Sequence, residues 1–273
     1  MSISSRALLV TLNVSQWTAR KLDKRESDEI TRKHGAVEGA ARVNKSLLPM
    51  AQSLDRIHKL TAATRNDYYR RTLPWAEGLG IIKSESYMDF VRIMSGHKDR
   101  WQAAVDAFVQ EYPALREEAR LQLNGLYRDE DYPLPGAIAS RFRMDVAFFP
   151  VPEACDWRVE LADSEVEQLR EQITQRVMES EGRAMQEAWR RVYDVVSKAH
   201  DRLSNPDNIF RDSLIENARE LCQVLPGLNI ADDPALEKMR REIEADLCAY
   251  EPEDLRKNEN LRAEVSDKLA EIM

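Results

Sequence analysis

The stretch from Asp163 to Leu203 constrains this chain more than any other. Val166, Leu169, Ile173, Val177, Ala184 (or Met185), Ala188, Val192, Val196 and Ala199 recur at near-heptad spacing. Such a pattern predicts one amphipathic helix of about 40 residues, ~60 Å long at 1.5 Å per residue. Asp163 or Ser164 opens it, with Glu165 and Glu167 in the first turn, and Asn205-Pro206-Asp207 closes it. A seam of that length must be covered by other helices of the same chain or by a second copy, and the heptad serves either arrangement. The scarcity of glycine, 9 residues in 273, points the same way, because phosphate-binding loops and many-stranded β folds use glycine freely. The expected class is therefore mainly α: an elongated helical bundle or coiled-coil hairpin with a small two- to three-stranded β element.

Leu8 to Val14 alternates and is rich in β-formers, so it reads as a strand. Ser15 to Leu22 reads as a short helical turn. Leu47, Met50, Leu54, Ile57 and Leu60 (or Thr61) predict a helix from about Asn44 to Thr72, with Pro49 near its start. Pro74 to Gly80 reads as a loop. Ser84 then caps a helix whose apolar face carries Phe90, Trp101, Val105, Phe108 and Tyr112, and Gly125 is its natural C-cap. Met144–Phe149 and Trp157–Leu161 are strand-like pieces that would join Leu8–Val14 in one sheet. Shorter helices are expected near 209–225, 234–250 and 253–272, the last polar enough to fray or to dock only on a partner. The expected divisions are 1–162, a helical region with the β element; 163–204, the long helix; and 205–273, a C-terminal helical region.

The chain carries a net charge of −8, unevenly divided. Residues 1–72 hold 14 Lys/Arg against 7 Asp/Glu, an excess of +7, and the remainder holds 26 against 41, or −15. Arg20, Lys21, Lys24, Arg25, Arg42 and Lys45, with Arg70 and Arg71 beside Tyr68 and Tyr69, form a candidate nucleic-acid surface of cations and stacking rings. Asp23, Glu26, Asp28 and Glu29 interleave with the first cluster, so a solvated face competes with that reading. The tyrosine pair also extends an apolar helix stripe, which is first a packing feature.

Catalytic signals are sparse. His34, His58, His97 and His200 have no second ligand at helical spacing, and His58 and His200 read as half-buried helix residues. Asp129-Glu130-Asp131 offers clustered oxygens for a divalent cation but lacks EF-hand spacing. Asp232-Asp233-Pro234 is explained as a helix cap followed by proline at the first helical position. No GxxxxGK[ST], GxGxxG or GxSxG string occurs. The expectation is a protein without enzymatic activity, metal or cofactor. Cys155, Cys222 and Cys248 are odd in number and lack a CxxC pair, which suits buried thiols in a reducing compartment. With neither a secretory leader nor a membrane-length apolar run, the expected location is the cytoplasm.

Six strings in order resemble one family. They are LLVTLNVSQWTARKLDK (8–24), HGAVEGAARVNKSLLP (34–49), YYRRTLPW (68–75), YPALREEARLQLNGLYRDEDYP (112–133), FFPVPEACDWRVEL (148–161) and FRDSLIENARELCQVLPGLNIADDPAL (210–236). Together they resemble the bacteriophage and mobile-element family called domain of unknown function 3150. That resemblance implies a bacterial host cell and, by gene neighbourhood, a MoxR-like AAA+ ATPase or a von Willebrand A-type protein as partner. It brings no catalytic residues. The expected function is a helical scaffold or adaptor that self-associates through Val166, Leu169, Ile173, Val177, Val192 and Val196. The alternative is an accessory factor for recombination or replication that binds nucleic acid through the basic N-terminal region.

Overall fold

The computed structural model describes residues 2–153 and 163–272. Helix predominates, beside a small antiparallel sheet of four strands. In chain order the elements are β1 (Ala7–Ser15), β2 (Arg20–Asp23), α1 (Lys24–Lys33), β3 (Val43–Ser46), α2 (Gln52–Arg71), β4 (Leu73–Ala76) and β5 (Leu79–Lys83). Then come α3 (Tyr87–Leu123), β6 (Arg143–Pro150), α4 (Asp163–Leu203), α5 (Ser213–Leu228), α6 (Pro234–Ile243), a π-turn at Glu244–Cys248, α7 (Pro252–Lys257) and α8 (Glu259–Ile272). The chain forms two compact units, one from residues 1–11, 66–92 and 146–273, the other from 12–65 and 93–145. They are interleaved in sequence, unlike the three consecutive blocks 1–162, 163–204 and 205–273 expected above. The divisions fall inside β1, α2, α3 and β6.

In the first unit the sheet runs in the order β4-β5-β1-β6. β5 pairs antiparallel with β1, Leu9 opposite Ile81, and with β4, Leu73 also opposite Ile81. The segment expected to be a loop after Pro74 is thus a strand pair, turned at Gly78, whose φ of +69° suits a residue without Cβ. Leu9, Leu73 and Ile81 share a core with α4, α5, α6 and α8. From Ala184 onward the α4 seam is buried against that core, Ala184, Ala188 and Ala199 being small enough for close packing. β4, α5 and α8 all pack on α4, in place of the single antiparallel arm of a coiled-coil hairpin. Asp233 caps α6 by accepting from the Ala235 N–H at 2.8 Å, and Pro234 takes the first helical position, as expected. The polar tail divides into α7 and α8 and is anchored within the unit by Leu255, Val265 and Leu269, all buried.

The second unit packs Leu54 and Ile57 of α2 against Trp101, Val105, Phe108 and Tyr112 of α3. Trp17 meets Tyr112 edge-on at 5.7 Å, and Phe108 meets Phe142 at 5.5 Å. Trp101 donates its indole N–H to Thr61 Oγ1 at 2.9 Å, so neither polar group is buried unpaired. Pro113 lies on an exposed position of α3 and does not end it. Three expectations fail here. The 15–22 segment is the end of β1 and the start of β2, without a helical turn. The helix expected from Asn44 begins at Gln52, because Val43–Ser46 pairs antiparallel with Arg20–Asp23. Met50, assigned above to the apolar stripe, is accordingly exposed. At the end of α3 the left-handed conformation belongs to Asn124, φ +42°, and not to Gly125. The Met144–Phe149 strand is present within β6, whereas Cys155 and the Trp157–Leu161 strand lie outside the described residues.

Candidate functional site

The α4 seam behaves differently along its two halves. Val192 and Val196, expected at a self-association surface, are each 2 % exposed in the chain's own core and offer nothing to a second copy. Val166, Leu169, Ile173 and Val177 are only partly covered, and no described residue from 164 to 179 is fully buried. Ser180 is the first that is. Over these four turns the apolar stripe therefore lacks a full partner among the described residues. Beside it, Trp75 and Pro152 join Ile173, Val177, Arg176 and Arg183 around a groove of about 480 Å³.

The basic residues do not form one surface. Arg20, Lys24, Arg25 and Arg42 are exposed in the second unit, whereas Arg70 and Arg71 belong to the first. Lys45 is buried: its ammonium lies 2.6 Å from Asp131 Oδ2 and 3.4 Å from Asp23 Oδ2, and it donates to the Leu126 carbonyl at 2.9 Å. Lys21 reaches the same Asp131 at 2.5 Å. Burial pushes the Asp131 carboxyl up, but Lys21 and Lys45 outweigh it and hold it below its ordinary value of 3.8. The Glu26 amide, opposed by burial and aided by Lys45, likewise holds Asp23 below 3.8. The acidic turn weighed above as a cation site is therefore occupied by lysine. Asp129, its neighbour, accepts from Tyr127 at 2.8 Å and pairs with Arg116 at 2.7 Å.

In the first unit, Tyr69, Arg70, Glu187, Arg190, Arg191, Asp194 and Glu220 line a groove of about 540 Å³. Its charges cancel locally. Arg70 pairs with Glu220 and with Asp67 at 2.6 Å, Arg71 with Asp67 at 3.0 Å, and Arg190 with Glu187 at 2.6 Å. Arg190, against the cost of burial and with help from Arg191, brings the Glu187 carboxyl down to about 2. A groove neutralised in this way has little excess field for a phosphate backbone.

The histidines lie in separate places. His58 sits 3.3 Å from the Trp17 carbonyl and His200 3.1 Å from the Ser266 carbonyl, as half-buried helix residues. Among the described residues no group of three or more His, Cys, Asp or Glu is placed to hold a metal. None of the described helices is long and apolar enough to cross a membrane.

Three arginines have roles that periodicity does not reveal. Arg191 donates to the Arg70 and Thr72 carbonyls at the end of α2 (3.2 and 3.0 Å). Arg219 holds the Cys248 and Tyr250 carbonyls after the π-turn, both at 3.0 Å. Arg262, 6 % exposed, donates to the carbonyls of Arg202, Leu203, Asn205, Pro206 and Asn208 and lies 5.4 Å from the Phe210 ring. Each supplies cationic donors where a helix leaves carbonyls without partners and carries partial negative charge. Their partners lie 29 to 121 residues away in sequence, beyond any local signal.

No protein-family model, no curated protein and no solved structure matches the chain.

Proposed function

We propose that this chain is a helical scaffold or adaptor that binds through the first half of α4, pairing it with the same segment of a second copy. The observation that carries the reading is the division of the α4 seam at Ser180: buried beyond it, incompletely covered before it. An apolar stripe of Val166, Leu169, Ile173 and Val177, flanked by Glu165, Glu167, Arg170 and Glu171, is the composition of a helix–helix interface. The resemblance to the mobile-element family supports an AAA+ ATPase as the heterologous partner of the same face.

Sedimentation equilibrium tests the proposal. The wild-type chain should approach twice its 31.5 kDa mass with rising concentration, and Ile173→Glu should hold it at the monomer while leaving its helical circular dichroism unchanged. A wild-type chain that stays monomeric to high concentration, or an Ile173→Glu variant that dimerises as well as wild type, overturns self-association through this face.

Nucleic-acid binding is the weaker reading, because Lys21, Lys45, Arg70 and Arg71 are engaged in ion pairs. It would require the exposed Arg20, Lys24, Arg25 and Arg42 to bind DNA in a steeply salt-dependent manner.

A further inference from the structure

The groove beside the first half of α4 brings together polar donors that the chain leaves without acceptors. Trp75 of β4 and Pro152 line it with Ile173 and Val177 of α4. Its volume of about 480 Å³ falls within the roughly 300–1,000 Å³ of small-molecule sites, which are mostly apolar with a few placed polar groups. Trp75 is 7 % exposed, and its indole N–H has no acceptor among the described residues. A buried indole ordinarily finds one, as Trp189 does by donating to Asp233 at 3.1 Å. The Trp75 N–H is not sealed from solvent, so an acceptor from outside the chain can reach it.

α4 adds two guanidinium groups to the same groove, Arg176 and Arg183. Seven residues is close to two full turns, so both leave one face of the helix, roughly 10 Å apart along its axis. Both are exposed, and neither has an ion-pair partner among the described residues. Arg183 donates to Ser180 Oγ at 2.9 Å, which steadies the guanidinium and leaves its other donors free. Glu179, the one carboxylate among the described lining residues, accepts from Gln175 at 2.9 Å. The first unit as a whole holds 22 Lys/Arg against 33 Asp/Glu, or −11. The described lining of this groove, two arginines against one glutamate, is instead +1. One negative charge balances it, whereas a dianionic phosphate leaves an excess of charge beside apolar walls.

We propose that this groove binds a monocarboxylic acid with an apolar body, of the size of a medium-chain fatty acid. The carboxylate accepts from the free donors of Arg176 and Arg183, in charge-assisted bonds that place the head. Trp75 supplies a further donor, and the hydrocarbon covers Pro152, Ile173 and Val177. The site is complete within one chain. It therefore does not rest on the association proposed above, with which it shares Ile173 and Val177.

Dodecanoate is the probe and dodecanol its uncharged counterpart, both kept below aggregation. Isothermal titration calorimetry of the full-length chain at neutral pH should show a single dodecanoate per chain, and dodecanol should bind at least about tenfold more weakly. Because both arginines are exposed, Arg176→Gln with Arg183→Gln should leave the circular dichroism unchanged. That double variant should bind dodecanoate at least about tenfold more weakly and dodecanol as the wild type does. Dodecanoate should also change the tryptophan emission of the wild type, and Trp75→Phe should remove that change. The proposal is overturned if the wild type binds no dodecanoate or takes it up without saturation, if dodecanol binds as tightly, if the double arginine variant keeps wild-type affinity, or if the emission change survives in Trp75→Phe.

Discussion

Replacing Arg262 with methionine should be among the most damaging single changes available to this chain. The guanidinium is 6 % exposed and faces five backbone carbonyls without a carboxylate partner. Its Nε bond to Leu203 O, 3.0 Å, is fully buried, and leaving that carbonyl unpaired costs about 2 kcal/mol. The other four carbonyls are only part-buried and regain water, so they contribute roughly 0.5 kcal/mol each. Loss of a cation from the C-terminus of α4 adds about 1 kcal/mol, and loss of the contact with Phe210 about 0.5 kcal/mol. The methionine side chain returns about 1 kcal/mol by filling the space with apolar atoms. The expected net loss is about 4.5 kcal/mol. Urea unfolding followed by circular dichroism measures it, and amide exchange at residues 202–210 locates it. Arg262→Lys keeps the charge without the planar five-donor fork, and should recover no more than about 1 kcal/mol. A loss below about 1 kcal/mol in Arg262→Met, or full rescue by lysine, would refute the reasoning.

Three other outcomes are expected. Glu187 titrates near 2 in the folded chain and at its ordinary 4.5 when unfolded, so its stabilisation is complete above 4.5 and lost as the pH falls toward 2; the stability difference between wild type and Glu187→Gln, measured by urea titration, should vanish over that window. Gly80→Ala would place a methyl group 2.9 Å from Tyr68 Oη and 3.0 Å from Thr72 Cβ, straining the bond from Tyr68 to the Val10 carbonyl; a thermal melt should register a loss of about 2 kcal/mol. Asp131→Ala leaves buried Lys45 with the Leu126 carbonyl and the longer contact to Asp23 and should cost about 3 kcal/mol in chemical denaturation, more than Asp129→Ala at a more exposed pair.

The helices were legible where their apolar spacing is regular. α4 is present from Asp163 to Leu203, and α3 departs from expectation only at its caps, because Trp101, Val105, Phe108 and Tyr112 all face one core at helical intervals. The β2–β3 pair was illegible for a physical reason. Arg20–Asp23 and Val43–Ser46 are short and polar, and what stabilises them is a ladder between strands 20 residues apart together with the contact of Lys45 with Asp131. Neither leaves a mark in local periodicity. The basic cluster misled for a related reason: a count of charges does not distinguish a lysine in water from one buried against a carboxylate. Ser180 could not have been singled out either, since the apolar spacing of α4 passes through it unchanged and only the other elements decide which half is covered.

The grip of Arg191 on the end of α2 bears on the order in which the chain is made. The Arg70 and Thr72 carbonyls leave the ribosome about 120 residues ahead of the guanidinium that receives them. The strands of the four-stranded sheet are likewise spread from residue 7 to residue 150. A nascent chain therefore carries the last turn of α2 and the early strands for a long part of its synthesis before their partners exist. High contact order of this kind predicts slow folding of the first unit and a long interval in which Leu73, Trp75 and Ile81 remain open to chaperones.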